Sequence, residues 1–367
     1  MSDTIVLPKM IIDSHCHGRD LKQNYKTTIL QVLREAAASG ICVTVFMPNT
    51  DPPVTTIPVL EDYIERIEIA RRMLKWPYEQ FVYFGATDNN IEQCAEALDY
   101  PNVVGIKVYP IDKEGKSVTI GSHIGVANDN TIFNLLWLVR EKNKVMAFHC
   151  DDPSIIKEEG YTIRAEAEYV KRVLSIAKHV PDAKIVICHV SSKKSAQLIL
   201  EAQKNGIKVA MELMPQYLWF DAEGTNWNPK LDPVFYHCFN NLRTSEDREF
   251  LIELLASDNR KIIIASDSAC HTEEEKLKNR FGGIPSNQEM VPVIITLARK
   301  LNLSNERIAQ LLSFNASNFL KIPAPKKLAV VRVQQKIDNL EYNRGKVVNP
   351  WQGTKLFFPT NKTKGEF

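Results

Sequence analysis

Eight short apolar runs, separated by stretches of helical periodicity, constrain the fold of this chain more than any other feature. The runs are residues 10–15, 41–47, 81–86, 103–109, 144–149, 184–189, 207–213 and 261–266. Residues 27–39, 57–75, 131–142, 164–179, 195–205 and 246–257 lie between them and carry apolar side chains at helix spacing. Strands alternating with helices predict βαβ units, and eight of them predict a parallel α/β barrel of the (β/α)8, or TIM, type. An open doubly wound sheet is the alternative. That fold places a Gly-rich phosphate turn after its first strand, and this chain has none there. The barrel is expected to occupy residues 1–322. Residues 323–367 carry Pro323, Pro325, Pro350 and alternating apolar residues near Lys355 and Phe358, which predicts a short β-rich C-terminal extension packed on the barrel.

Composition narrows the class of partner. The 367 residues are 44% hydrophobic and 25% charged, enough for a large core. A net charge of +2 supplies no basic field for nucleic acid. No apolar run has the length of a membrane span, and the N-terminus lacks a signal-peptide pattern. Seven scattered cysteines, an odd number, predict a reduced cytoplasmic protein.

The polar residues cluster where a barrel would use them. Barrel active sites form at the C-terminal ends of the strands. His15 and His17 end the first run, and Pro48, Asn49 and Thr50 follow the second. Lys107 lies in the fourth, His149 ends the fifth and His189 ends the sixth. Gln216 follows the seventh, and Asp267 follows the eighth. Side chains alternate along a strand, so His15 and His17 share a face and can grip one metal ion. Arg19 then places a planar cation beside that metal, which suggests hydrolysis of a small acidic substrate.

Each residue also has a second reading. Asp267 emerges from an apolar strand as a metal ligand and proton acceptor, or as a helix cap or salt-bridge partner. Lys107 is a buried amine able to add carbon dioxide as a carbamate, or a strand-end lysine reaching water. His149 and His189 are ligands or satisfied core histidines. Cys16, Cys150 and Cys188 flank the histidines, and alternation predicts that they face away as packing residues.

As an ordered set, these motifs resemble the amidohydrolase superfamily, and within it the dihydroorotase family, notably its short bacterial type. The matching segments are residues 13–19 (Asp-Ser-His-Cys-His-Gly-Arg), 47–50, 105–107, 148–151, 188–191, 214–218 and 266–271. The resemblance implies a centre of two zinc ions. His15, His17, carboxylated Lys107 and Asp267 would hold the more buried ion, while Lys107, His149 and His189 would hold the second. A bridging hydroxide would be the nucleophile, and Asp267 the catalytic proton shuttle. Arg19, Asn49 and His271 match the positions that bind the substrate carboxylate. The implied reaction is the reversible cyclisation of N-carbamoyl-L-aspartate to dihydroorotate in pyrimidine synthesis, by a homodimer. Allantoinase-type and hydantoinase-type cyclic amidohydrolases, and a catalytically silent homologue, are the alternatives.

The chain departs from the family pattern at four places. Tyr217 stands where a histidine is frequent, Cys270 replaces a proline, and Asp151 stands where a glutamate is frequent. The loop after Pro110 lacks the paired threonines of the short type. Gly115 and Gly121 would let it move as a lid, with Ser117 or Thr119 in the threonine role, and an ordinary surface loop is the alternative.

Overall fold

A computed structural model of the chain describes residues 3–112, 114–118 and 124–360. Strand β1 (Thr4–Pro8) precedes eight strands that form one parallel sheet in sequence order. These are β2 (Ile11–Cys16), β3 (Ile41–Phe46), β4 (Phe81–Gly85), β5 (Val103–Val108), β6 (Val145–Phe148), β7 (Lys184–Ile187), β8 (Val209–Leu213) and β9 (Ile262–Ile264). The seam between β9 and β2 is closed just beyond the strand ends. Asp267 N donates to His15 O at 2.8 Å, and His17 N donates to Ser268 O at 3.0 Å. The Asp13 carboxylate accepts from Ser266 N at 2.9 Å and Ser266 Oγ at 2.6 Å. The eight runs therefore form the expected (β/α)8 barrel.

The strands are buried on both faces, as their apolar content requires. Ile12, Val43, Tyr83, Val104, Val186 and Ile263 pack together in the lumen, while Ile11, Phe46, Val82, Ile106 and Ile185 pack outward against the helices. The helix Ile163–Ala177 shows how that outer layer forms. Thr162 caps it by accepting from Ala165 N, and Tyr169, Val170, Val173 and Leu174 lie on its buried face. Each large apolar side chain buried this way contributes roughly 1.5–3 kcal/mol.

Two further strands, β10 (Leu328–Ile337) and β11 (Lys355–Pro359), form a three-stranded sheet with β1. The antiparallel pairing of Thr4 with Arg332 and of Pro8 with Leu328 ties the start of the chain to its end. The expected division at residue 322 thus cuts through one sheet. Trp351, fully buried, donates from Nε1 to Pro285 O at 2.9 Å. The extension thereby braces the segment that follows β9. Among the described residues, no helix is long and apolar enough to cross a membrane.

Candidate active site

The chain leaves its strands abruptly where the polar residues lie. His189 follows β7 with φ +38°, and Asp267 follows β9 with φ +47°. Left-handed backbone is uncommon outside glycine and concentrates at functional sites. Gly18 allows the turn after His17, because a Cβ there would meet the Phe46 ring at 2.7 Å. The turn carries Arg19 back over the barrel mouth.

A pocket at that mouth is lined by His15, His17, Arg19, Asn49, His149, His189, Asp267 and His271. Tyr109, Phe239, Ala269, Phe281, Gly282 and Gly283 form its remaining walls. Gly283 lies against His271, where a Cβ would come within 3.0 Å of the ring.

Asp267 Oδ1 lies 3.0 Å from His17 Nε2 and 3.3 Å from His15 Nε2. Ligand atoms from these three residues all lie within 4.8 Å of one another. Each ring is oriented through its other nitrogen. His15 Nδ1 donates to Glu212 Oε2 at 2.9 Å, and His17 Nδ1 to Asn49 Oδ1 at 2.7 Å. These partners fix the tautomers and turn both Nε2 atoms inward, the arrangement that metal-binding histidines use.

A second pair lies beside the first. His149 Nδ1 is 3.0 Å from His189 Nε2, and His149 Nε2 is 2.9 Å from Asp151 Oδ2. Burial, reinforced by Lys107, pushes His149 down to about 3. Burial also lowers His15 and His189, and burial with Arg19 lowers His17. All four rings are therefore neutral, the form that ligates metal. Burial raises Asp267, against the pull of His15 and Lys107.

Lys107 is fully buried in β5, so its alternative reading as a solvent-reaching lysine does not hold. Its Nζ lies 2.8 Å from Cys188 Sγ and 5.1 Å from the Tyr109 ring centre. Cys188 is a correction to the expected alternation. Strand β7 ends at Ile187, and the backbone turns at His189, so consecutive residues both face inward. Cys16 and Cys150 pack in the outer core as expected.

On the far wall, Arg19 Nη2 lies 3.2 Å from His271 Nε2. His271, kept neutral by burial, is bracketed by Glu275 at 3.5 Å and Lys26 at 3.4 Å from Nδ1. Arg19 is 6% exposed, and its Nε has no hydrogen-bond partner among the described residues.

The departures from the family pattern lie outside the pocket lining or behind it. Tyr217 is buried and donates to Asn240 O at 2.6 Å, supporting the segment next to Phe239. Cys270 packs with Tyr342 and Val347 of the extension. Asp151 orients His149. Gln216 is buried without side-chain partners among the described residues and does not line the pocket. In the loop after Pro110, Gly115 has φ +79° with open space around it, whereas Thr119 and Gly121 lie outside the described residues.

Sequence reasoning missed Glu212 and Tyr109. Glu212 is a charge inside the apolar β8, the same signal that singled out Lys107 in β5. Tyr109 directly follows that lysine's strand, and its buried hydroxyl has no partner among the described residues.

A model of the amidohydrolase family matches residues 5–328. The chain belongs to the amidohydrolase family. It is accordingly a hydrolase, of a family that is generally metal-dependent. A dihydroorotase from Fusobacterium nucleatum is 27% identical over 335 residues, covering 85% of this chain and 72% of the relative. The structure of dihydroorotase from Saccharomyces cerevisiae in complex with 5-fluoroorotic acid superposes with a TM-score of 0.81 at 20% identity, covering 97% of this amidohydrolase and 98% of that chain. An L-hydantoinase from Arthrobacter aurescens superposes with a TM-score of 0.82 at 19% identity, over 96% of this chain and 82% of that one. These two structural likenesses show a shared fold.

The donor set fits divalent metal. Four neutral imidazoles and a carboxylate converge on one pocket, and imidazole with carboxylate is a common zinc combination.

Proposed function

We propose that this amidohydrolase is a dihydroorotase that interconverts N-carbamoyl-L-aspartate and dihydroorotate. Closure forms a bond between the ureido nitrogen and the side-chain carboxyl carbon and releases water. Opening adds that water back. The observation that carries the reading is Arg19. It lines the pocket, it is buried, and its Nε is unpartnered among the described residues. A buried guanidinium with a free edge is built to receive a carboxylate as a fork. His271 and Asn49 flank it and would fix the substrate's orientation. Dihydroorotate keeps one carboxylate on its ring, whereas simple hydantoins do not.

The proposed ligands are His15, His17, Lys107 and Asp267 for one zinc ion, and Lys107, His149 and His189 for the second. Lys107 serves both as its carbamate. Two such cations would lower the pKa of a shared water and polarise the amide carbonyl. Asp267 is the proton carrier. Its Oδ1 faces the pocket between two histidines, and burial favours its holding a proton. Asp151 and Glu212 keep His149 and His15 in the tautomers that ligation needs.

Purified, zinc-loaded protein assayed with dihydroorotate, hydantoin and allantoin tests the reading. Selective opening of dihydroorotate supports it. Turnover of hydantoin or allantoin alone would replace it with a neighbouring cyclic-amide activity. A cytoplasmic homodimer is part of the same proposal, and light scattering that returned the mass of one chain would contradict the dimer.

A further inference from the structure

Behind the pocket wall, the inner nitrogen of His271 meets a buried ion pair. Lys26 Nζ lies 2.9 Å from Glu275 Oε1, and Tyr25 Oη donates to that same oxygen at 2.8 Å. Lys26 is 3% exposed and Glu275 9%. Both partners are held in place. Asn343 Nδ2 donates to Lys26 O at 2.7 Å, which ties the lysine to the C-terminal extension. Glu275 belongs to the capping box of the helix Glu273–Asn279, where its Oε2 accepts from Thr272 N at 3.0 Å.

No single tautomer of His271 suits all of its neighbours. A guanidinium and an ammonium carry donors only. Arg19 Nη2, 3.2 Å from Nε2, therefore meets a lone pair there, which leaves the ring proton on Nδ1. Glu275 Oε2, 3.5 Å from Nδ1, faces that proton as an acceptor. Lys26 Nζ lies 3.4 Å from the same Nδ1 and suits only the other tautomer, in which Nδ1 is bare and Nε2 carries the proton. Nδ1 thus has an acceptor for one state and a donor for the other.

We propose that Lys26 and Glu275 are positioning residues that let His271 change tautomer when a substrate carboxylate binds. The inference rests on the reading of Arg19 as the partner of that carboxylate. In the free pocket, Nε2 accepts from Arg19 while Glu275 faces the Nδ1 proton. A ring in that state would turn a lone pair toward the incoming anion. With the carboxylate bound, Arg19 turns its donors to the anion, Nε2–H donates to it as well, and Nδ1 accepts from Lys26. The ring stays neutral throughout, because Nδ1 releases one proton to water as Nε2 takes one from water.

A structural role does not account for the pair. The capping box requires Glu275 but no lysine, and a buried ammonium is costly. Burial pushes the Glu275 carboxyl up, yet the bonds from His271 and Lys26 more than offset this and hold it below the ordinary range. Glu275 therefore remains a charged acceptor, and Lys26 a charged donor, on either side of one ring nitrogen.

The test uses full-length, zinc-loaded protein labelled with nitrogen-15 at histidine, and nuclear magnetic resonance of the ring nitrogens with and without orotate, an unsaturated ring with the same carboxylate. Protonated and bare ring nitrogens give separate signals, and His271→Gln identifies those of His271. The proton is expected on Nδ1 in the free protein and on Nε2 with orotate bound. Lys26→Met should keep it on Nδ1 in both states and raise KM for dihydroorotate about tenfold, the scale of one lost hydrogen bond to a charged group. Glu275→Gln preserves the capping box; it should move the free protein toward the Nε2 proton and lower KM. Equal rises in KM for both variants would mean a merely structural ion pair and would overturn the inference. Bound orotate with the proton still on Nδ1, or a free protein already protonated on Nε2, would overturn it while leaving the carboxylate reading standing. These parent spectra decide the matter even where a variant fails to fold. No binding of orotate would overturn both readings.

Discussion

His149 Nε2 lies 2.9 Å from Asp151 Oδ2, with both residues buried, so His149 turns Nδ1 toward His189. The carboxyl thus selects which imidazole nitrogen faces the pocket. Asp151→Asn keeps the shape and loses this control. We expect metal affinity or activity to fall about 10- to 100-fold, the usual cost of losing such an orienting group. Metal content after dialysis against a chelator checks this. Retention and turnover equal to the parent protein would remove Asp151 from that role.

Lys107 is buried among the candidate ligands and has no carboxylate partner among the described residues, its Nζ set against Cys188 and Tyr109. Lys107→Ala should remove the proposed carbamate and lower activity by at least about 100-fold, because it would delete the ligand proposed to be shared by both cations. Intact mass spectrometry should show one carbon dioxide adduct on the parent chain, absent from the variant. Near-normal turnover with two metals still bound would contradict the carbamate.

Arg19→Lys keeps the charge and removes the planar fork. KM for dihydroorotate should rise about 10- to 100-fold, on the scale of 1.5–3 kcal/mol for a charge-assisted hydrogen bond. Metal content should not change. Unchanged kinetics would release Arg19 from the carboxylate.

Glu35 makes a prediction about stability. Its Oε1 accepts from Asn343 N and Gln31 Nε2, both at 2.9 Å, while Oε2 is buried without a partner among the described residues. Burial outweighs those bonds and raises the carboxyl from its ordinary 4.5 to about 7. Between those values the folded chain holds a proton that the unfolded chain releases. The contribution to stability is therefore complete below pH 4.5 and is lost as pH rises through 7, on the order of 3 kcal/mol. Glu35→Gln should gain stability relative to the parent as pH rises from about 5 to about 8. Denaturant melts across that range check it, and a difference independent of pH would contradict the assignment.

The barrel was legible because each strand is an apolar run bounded by polar residues, and the candidate ligands because they sit at strand ends. His15, His17 and Asp267 converge as alternation and barrel topology require. Alternation failed at Cys188, where the backbone turns one residue after β7 ends, and no sequence periodicity marks that turn. Glu212 was readable in principle as a charge within β8, but its partner His15 lies 197 residues away. The supporting role of Tyr217 depends on a backbone carbonyl at Asn240, and a carbonyl carries no sequence signal. The pairing of β1 with β10 joins the two ends of the chain, a contact that local pattern does not encode.

The central claim is that this amidohydrolase opens a cyclic amide whose ring carboxylate is held by Arg19. The most direct measurement compares kcat/KM for dihydroorotate with that for dihydrouracil, the same ring without the carboxylate, on the zinc-loaded protein. The account predicts a preference for dihydroorotate of at least about tenfold, the scale of one lost charge-assisted hydrogen bond, and predicts that Arg19→Lys narrows it. Equal or faster turnover of dihydrouracil would contradict the account.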